Sequence, residues 1–370
     1  MIGVLGGGQL GRMLGLAGLP LGQRFVFLDP SPDAPARDVG ELIVAEYDDR
    51  KALDELASRV DVVTYEFENV PAATVEALAE RVPVFPSAGA LHATQDRLVE
   101  KGSLVDAGIP VAPFRGATTG IEVRNAITEL GLPVILKTRR GGYDGKGQAV
   151  ITGDADVEVG VAALRGADLI VEGRVDFDRE LSVIAVRGED GAFAAYPLVE
   201  NHHAGGILRF SLAPAPTVEA SLQAKAEGFA RSFMEAHDYV GVMTLELFQV
   251  GDGLLVNEVA PRVHNSGHWT IEGAEVSQFE NHLRACLGLP LGATDAVGSS
   301  VMANVLGALP DVASITAIAG AHLHLYGKEP RPLRKIGHVT VRRDEREWWK
   351  RLDGGLRSLA TVLPALEHAS

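Results

Sequence analysis

Cysteine is nearly missing from this chain: Cys286 is the only one in 370 residues. No intrachain disulfide can form, and a reducing, cytoplasmic setting fits. Cys286 falls in the helical pattern His282-Leu283-Arg284-Ala285-Cys286-Leu287, which suits a buried small residue better than a nucleophile. Long apolar runs are missing too, and none reaches the length that crosses a bilayer, so no membrane role is expected. No basic leader precedes an apolar core at the start; Ile2-Gly3-Val4-Leu5 reads as a first strand, not a signal peptide. Positive charge is in deficit, with 34 Lys and Arg against 49 Asp and Glu for a net −15. That balance argues against a nucleic-acid-coating surface, and an anionic substrate must be caught by a local basic pocket. Internal repeats and low-complexity segments are absent.

What remains is an ordinary globular composition, 46% apolar and 22% charged. At 370 residues one core rarely suffices, so two or three domains are expected. Residues 1–95 alternate strand and helix: Ile2 to Leu5, Gly11 to Ala17, Phe25 to Leu28, Leu42 to Ala45, Lys51 to Arg59, Asp61 to Tyr65, Ala72 to Arg81, Val84-Phe85. This alternation predicts a doubly wound parallel sheet. Residues 96–176 comprise a linking helix, Arg97 to Ala107, and a small lid with strands at Pro133 to Lys137, Gln148 to Ile151 and Leu169 to Glu172. Residues 177–370 form the last unit, with strands near Glu180 to Val186, Ala194 to Val199, Met243 to Phe248 and Leu254 to Val259, and a helix from Val218 to His237.

The densest chemistry lies in Asn257-Glu258-Val259-Ala260-Pro261-Arg262-Val263-His264-Asn265-Ser266-Gly267-His268-Trp269-Thr270. Twelve positions before Glu258, Glu246 sits in a strand-like run, and Val250-Gly251-Asp252-Gly253 between them carries a hairpin signal. Pairing across that turn brings Glu246 and Glu258 together. Two carboxylates and an amide oxygen suit a partly hydrated Mg²⁺ that bridges nucleotide phosphates. Arg262 and His264 would lie just beyond, where an oxyanion could be held. A solvated hairpin with casual charges is the bland alternative.

Four glycines stand in the eight positions Gly141-Gly142-Tyr143-Asp144-Gly145-Lys146-Gly147-Gln148, between two strands. Glycines allow positive φ and aim amides at phosphate oxygens. Lys137 and Lys146 add two cations for a polyphosphate, so a phosphate lid competes with a plain hairpin turn. Glu172 and Glu180, eight apart around Gly173-Arg174-Val175, could bind an adenine amino group or ribose hydroxyls; solvated strand ends would look the same. His202-His203 beside Gly205-Gly206 suggests a loop, but without a third ligand zinc is not expected. Lys328 to Lys335 is a proline-stiffened basic cluster, readable as a phosphate anchor or as a solvated face.

Gly6-Gly7-Gly8-Gln9-Leu10-Gly11 fits the dinucleotide pattern after a strand and before a helix, with Asp29 closing the next strand. A nicotinamide-dependent dehydrogenase is therefore the sharpest competing reading. The same turn also serves wherever backbone approaches a phosphate or a helix packs close to a strand.

Taken together in this order, these motifs, with Tyr65-Glu66-Phe67-Glu68-Asn69-Val70, resemble the ATP-grasp superfamily and, within it, the 5-(carboxyamino)imidazole ribonucleotide synthases of purine biosynthesis. The resemblance covers essentially the whole chain. It implies an N-terminal doubly wound (pre-ATP-grasp) domain, a lid and a C-terminal domain, in a cytoplasmic homodimer. It implies ATP contacts from Arg97, Lys137, Gly142, Tyr143, Asp144, Gly145, Lys146, Gly147, Gln148, Glu172, Gly173, Arg174, Val175, Glu180, His203, Asn257 and Glu258, with Mg²⁺ on Glu246 and Glu258. Arg262, His264 and Asn265 match the bicarbonate side. Gly8, Gln9, Leu10, Glu68, Tyr143, Asp144, Lys328, Arg334 and Lys335 match the side of the acceptor, aminoimidazole ribonucleotide, with Asp144 and Lys328 also implied in catalysis. The implied reaction is an ATP- and bicarbonate-dependent ligation through carboxyphosphate. Other ligases with the same architecture and different acceptors remain open, as does a non-enzymatic nucleotide sensor.

Overall fold

The computed structural model describes residues 1–142, 145–164, 168–352, 356 and 359–368. Among these residues three sheets form. The first contains β1 (Ile2–Leu5), β2 (Phe25–Asp29), β3 (Glu41–Val44) and β4 (Val62–Tyr65), all parallel in the order β3-β2-β1-β4. Helices α1 (Gln9–Gly18), α2 (Arg50–Arg59) and α3 (Ala72–Ala79) cover it, so all its strands but the edge strand β3 are buried on both faces, as Leu5, Val26, Leu28 and Val63 show. Asp49 starts α2 by accepting the Lys51 and Ala52 N–H groups at 2.9 and 3.3 Å.

Two helices, not one, leave this domain. Ser87 caps α4 (Ala88–Gln95), and Asp96 caps α5 (Arg97–Asp106) by accepting the Leu98 N–H at 3.0 Å. The first of them was not legible in the sequence, because its Gly89 and Thr94 are weak helix formers. The lid follows: β5 (Phe114–Ala117), α6 (Gly120–Leu130), β6 (Val134–Thr138), β7 (Gln148–Ile151), α7 (Asp154–Ala163) and β8 (Leu169–Gly173), in an antiparallel order β5-β8-β6-β7.

The largest sheet takes nine strands: β9 (Arg179–Arg187), β10 (Phe193–Ala195), β11 (Val199–Ala204), β12 (Ile207–Ala213), β13 (Gly241–Val250), β14 (Gly253–Ala260), β15 (Ser299–Leu306), β16 (Ala321–Leu325) and β17 (Lys335–Arg343). Its order is β14-β13-β9-β11-β12-β15-β17-β16, with β10 on β9. The single strand expected at Ala194 to Val199 is two, because Pro197 offers no N–H for the ladder. His202 and His203 lie on β11 rather than in a loop; the loop is Gly205-Gly206, both at positive φ. Helix α8 (Ala220–Ala236) packs on β9, β13 and β14, and α9 (Gln278–Cys286) packs on β13, β9 and α1. No helix among the described residues is long and apolar enough to cross a membrane.

Helix α9 ties the sheets together through buried polar groups. His282 Nδ1 accepts the Val242 N–H at 3.0 Å, and its Nε2 meets Thr64 Oγ1 at 2.8 Å. Burial holds this imidazole down at about 4 and pushes the neighbouring Cys286 thiol up to about 12, so the thiol is inert. Burial also drives His268 and His338 well below the ordinary histidine range. These native groups refuse protons that the unfolded chain accepts below about pH 6.5. Their contribution to stability is therefore full above that pH and falls as acid is added; His282 alone accounts for about 3 kcal/mol by pH 4. His203, raised by Glu180 against its burial, and the raised carboxyls of Glu66, Glu100 and Glu258 work in the opposite sense, the carboxyls only down to the ordinary glutamate range near pH 4.5. Below that range the carboxyls give no further offset, and Glu246, held at about 2, and Glu68, also lowered, lose their own contribution. The urea midpoint should therefore drop between pH 5 and pH 3.5, and equal midpoints would contradict this account.

Candidate active site

The hairpin β13–β14 turns through Gly251-Asp252 and pairs Glu246 with Glu258 directly. The register slips just beyond: Leu247 pairs with Val256, so Asn257 is bulged out of the ladder. The bulge aims the Asn257 amide oxygen at Lys137 of β6, 3.4 Å away. Lys137 also donates to Glu172 of β8 at 3.0 Å. Two elements of the lid and one edge of the large sheet thus meet over a cleft lined by Glu180, Asn201, His203, Glu246, Phe248 and Asn257.

Charge is distributed unevenly between the facing carboxylates. Burial opposes ionisation of Glu246, yet His264, 3.1 Å away, helped by His203 and Lys335, holds it at about 2. Glu258 is pushed up by burial and by the charge of Glu246, against the pull of Arg97 and Lys137. Glu180 pairs with His203. Among the described residues no group of three or more His, Cys, Asp or Glu side chains makes a closed metal cage. Two hard carboxylates with one repelling the other fit a divalent cation whose remaining ligands are phosphate and water.

Arg97 faces Glu258 at 3.8 Å, but its guanidinium donates to the carbonyls of Thr138 and Gly142, both at 3.0 Å. It pins the base of the glycine-rich loop. Gly145, Lys146, Gly147 and Gln148 complete that hairpin at the lid edge. Tyr143 and Asp144 lie outside the described residues. Gly173 ends β8, and Arg174 and Val175 begin the strap to β9; the Arg174 side chain, half exposed, turns to Asp176 at 3.7 Å.

On the far side of Glu258, Arg262 makes a two-pronged contact with Glu68 of the N-terminal domain, one arm at 2.7 Å. Burial would raise the Glu68 carboxyl, but Arg262 outweighs it and the net shift is downward. His264 is fixed by Ser266 Oγ at 2.9 Å and by Gln278, whose amide brackets its backbone. Asn265 spends its amide on a reciprocal pair with Asn304 of β15, at 2.9 and 2.7 Å.

The glycine turn holds the main surprise. Glu66 extends under α1 and accepts the N–H groups of Gly8, Leu10 and Gly11 at 2.7, 3.1 and 3.1 Å. Asp29 accepts that of Gly7 at 2.8 Å and so does not stand ready for a ribose. The amides that a pyrophosphate would need are already taken by the chain's own carboxylates, which opposes the nicotinamide reading. Gly8 and Leu10, which the resemblance puts on the acceptor side, thus spend their amides on Glu66. Gln9 alone of that trio reaches outward, where its side chain contacts Lys328 from the β16–β17 connection. Lys335, opening β17, lends its charge to Glu246 and His203 instead, and Arg334 donates to the Glu329 carbonyl at 3.1 Å. The two lysines of the basic segment therefore face different groups, Lys328 the glycine turn and Lys335 the Glu246–His203 side.

Several participants were not foreseen. Glu66 stood inside a quoted motif without a role. Lys101 and Glu100 of α5 carried no assigned role in the sequence, yet both are buried, 1% and 3% exposed. Burial and the charge of Glu258 push Glu100 up to about 8 despite Lys101 beside it. Asp96 binds Arg139 through both oxygens at 2.9 and 2.8 Å, fastening the lid to the linking helices.

Known proteins with this pattern are numerous. Residues 1–95 match the ribonucleotide synthetase preATP-grasp domain, 103–279 the ATP-grasp domain, and 300–351 the phosphoribosylaminoimidazole carboxylase C-terminal domain. The N5-carboxyaminoimidazole ribonucleotide synthase of Pseudomonas aeruginosa is 53% identical over 341 residues, spanning 92% of this chain and 94% of its own. The crystal structure of the synthetase from Thermus thermophilus superposes with a TM-score of 0.93 at 55% identity, over 98% of both chains. The synthase from Aspergillus clavatus, solved with ADP and 5-aminoimidazole ribonucleotide, gives 0.90 at 33% identity over 99% of this chain and 98% of that one.

Proposed function

The chain belongs to the N5-carboxyaminoimidazole ribonucleotide synthase family of ATP-grasp ligases, and we propose that it carboxylates the exocyclic amine of 5-aminoimidazole ribonucleotide using ATP and bicarbonate. The observation that carries the reading is the cleft itself: Glu246 faces Glu258, and Lys137, Glu172 and Asn257 converge beside them. ATP lies between lid and large sheet, its adenosine end toward Glu172, Val175 and Glu180. Its phosphates run toward Lys137 and the glycine-rich hairpin. Glu246 and Glu258 would hold Mg²⁺, which would supply positive charge to offset that of the phosphates.

A bicarbonate oxygen attacks the γ-phosphorus, the bond to the β-phosphate oxygen breaks, and ADP leaves with carboxyphosphate formed. The acceptor amine then attacks the carboxyl carbon of carboxyphosphate, or of the CO₂ it releases, losing one proton as phosphate departs. His264 is held in one orientation beside Glu246, and Arg262, with donors left beyond its contact to Glu68, is placed for an oxyanion. Because carboxyphosphate is labile, the lid must keep water out, and the hinge at 173–175 and the fastening of Asp96 to Arg139 give it two points of control. Gln9 and Lys328 receive the acceptor across the domain boundary. A cytoplasmic location and a homodimeric assembly belong to the same proposal.

The test is ADP release with ATP, Mg²⁺ and bicarbonate, with and without aminoimidazole ribonucleotide. Turnover should require bicarbonate and rise sharply with the acceptor. Release that ignores the acceptor would point to another ligase of this architecture, and saturable NADH binding would reopen the dehydrogenase reading.

A further inference from the structure

A lysine buried to 1% exposure needs an explanation, because an unpaired ammonium in the interior is costly. Lys101 lies on the helix that links the N-terminal domain to the lid, with its ammonium against the outer edge of β14. It donates to the carbonyls of Asn257 and Val256 at 2.6 and 3.2 Å. These carbonyls sit at the bulge where Asn257 leaves the β13 ladder, and β14 is the edge strand, so the sheet itself offers them no further partner. The adjoining Val256 N–H is taken by Pro110 at 2.8 Å from the same linker. The ammonium also lies 3.8 Å from Glu172 of the lid strand β8, which already receives Lys137 at 3.0 Å.

We infer that Lys101 is a positioning residue for the nucleotide, one cation that fixes the bulge carrying Asn257 and Glu258 to the lid carboxylate Glu172. The inference rests on the ATP reading above. Two cations around one carboxylate have distinct tasks. Lys137 stands at the cleft and can turn to a polyphosphate when one arrives. Lys101, sealed behind β14, cannot follow it. Glu172 thus keeps a counter-ion in both states, stays ionised to accept from the nucleotide, and lets Lys137 go without being left as a lone buried charge. Once Lys137 turns away, the spacing between the acid at the adenosine end and the bulge at the metal end is kept by this side chain, beside the backbone contact of Val256 to Pro110.

The inference predicts a selective defect. Lys101→Met should weaken ADP binding by about tenfold or more and raise KM for ATP in step, while KM for the acceptor stays within about twofold. Glu172→Gln removes the carboxylate that the substitution strands, so the double variant should bind ADP about as well as Glu172→Gln alone. That non-additivity is a result a merely structural lysine would not produce. Lys101→Gln, which keeps a donor for the carbonyls but no charge, covers the case in which the methionine variant does not fold; it should show the same ATP-specific loss. Calorimetry with ADP and steady-state kinetics with each substrate varied decide the matter. Wild-type protein that binds no ADP would overturn the ATP reading and this inference with it. Wild-type binding retained undiminished in the Lys101 variants, or additive losses in the double variant, would overturn this inference alone.

Discussion

Glu258→Gln should cut ADP formation by on the order of 100-fold or more while leaving the protein folded and as stable as before. The asymmetry of the facing pair is the reason. Glu246 is already satisfied by His264 and held at about 2, whereas Glu258 is raised by burial and by the negative charge opposite. An amide in place of Glu258 removes that repulsion, so the substitution relieves the fold rather than straining it. The same change removes one of two charged oxygen ligands from a site with no third carboxylate among the described residues. The cation and the phosphates it bridges would then lose their fixed position, and most of phosphoryl transfer is positioning and charge compensation. Excess Mg²⁺ should restore part of the rate, because the defect lies in occupancy as well as geometry. ADP formation measured at limiting and saturating Mg²⁺, alongside a thermal melt, checks both halves. Wild-type-like turnover at limiting Mg²⁺ would remove Glu258 from the metal site.

This pairing was readable from the chain because it is local. Glu246 and Glu258 are joined by a hairpin whose turn signal and alternating apolar residues specify the register to within a residue. The parallel N-terminal sheet was legible for a similar reason, each strand and helix announcing itself within about ten residues. What failed to show was contact across sequence. Arg262 meets Glu68 across 194 positions, and Asn265 meets Asn304 across 39. Spacing carries no trace of either. Glu66 was hidden differently: the glycine turn advertises an anion site truthfully, and nothing in its letters says that the anion is the chain's own. Lys101 follows Glu100 on a helix, a pattern that ordinarily marks a solvated face, and only the edge of β14 laid against that helix makes it an interior cation. The bulge at Asn257 is equally silent, since a one-residue slip leaves the apolar alternation on either side intact.

The second large effect is expected at Lys328. Its segment joins β16 to β17, yet it contacts Gln9 across 319 positions, bringing the C-terminal part of the chain onto the N-terminal turn. Glu66 lies beneath; burial pushes its carboxyl up, while the Gly8 and Gly11 amides and the Lys328 charge pull the other way. A carboxylate so placed cannot receive a phosphate, but it can hold a lysine and a glutamine in position to do so. In a protein of net charge −15 the phosphate of a nucleotide acceptor needs such a local cation, and the prolines at 330 and 332 limit the entropy lost in ordering the segment. Removing one charge-assisted contact costs about 1.5–3 kcal/mol, or roughly 10- to 150-fold in acceptor affinity. Lys328→Ala should therefore raise KM for aminoimidazole ribonucleotide by that range and lower turnover, because grip on the phosphate also orients the amine. ATP affinity should change little, since Lys328 lies at the glycine turn, and the charge of this segment that reaches Glu246 is that of Lys335. A comparison with the dephosphorylated riboside makes the assignment specific. Wild-type enzyme should strongly prefer the ribotide, and the variant should lose most of that preference. An unchanged acceptor dependence, or a ribotide preference as strong as before, would show that Lys328 only buttresses the turn and that the phosphate is gripped elsewhere.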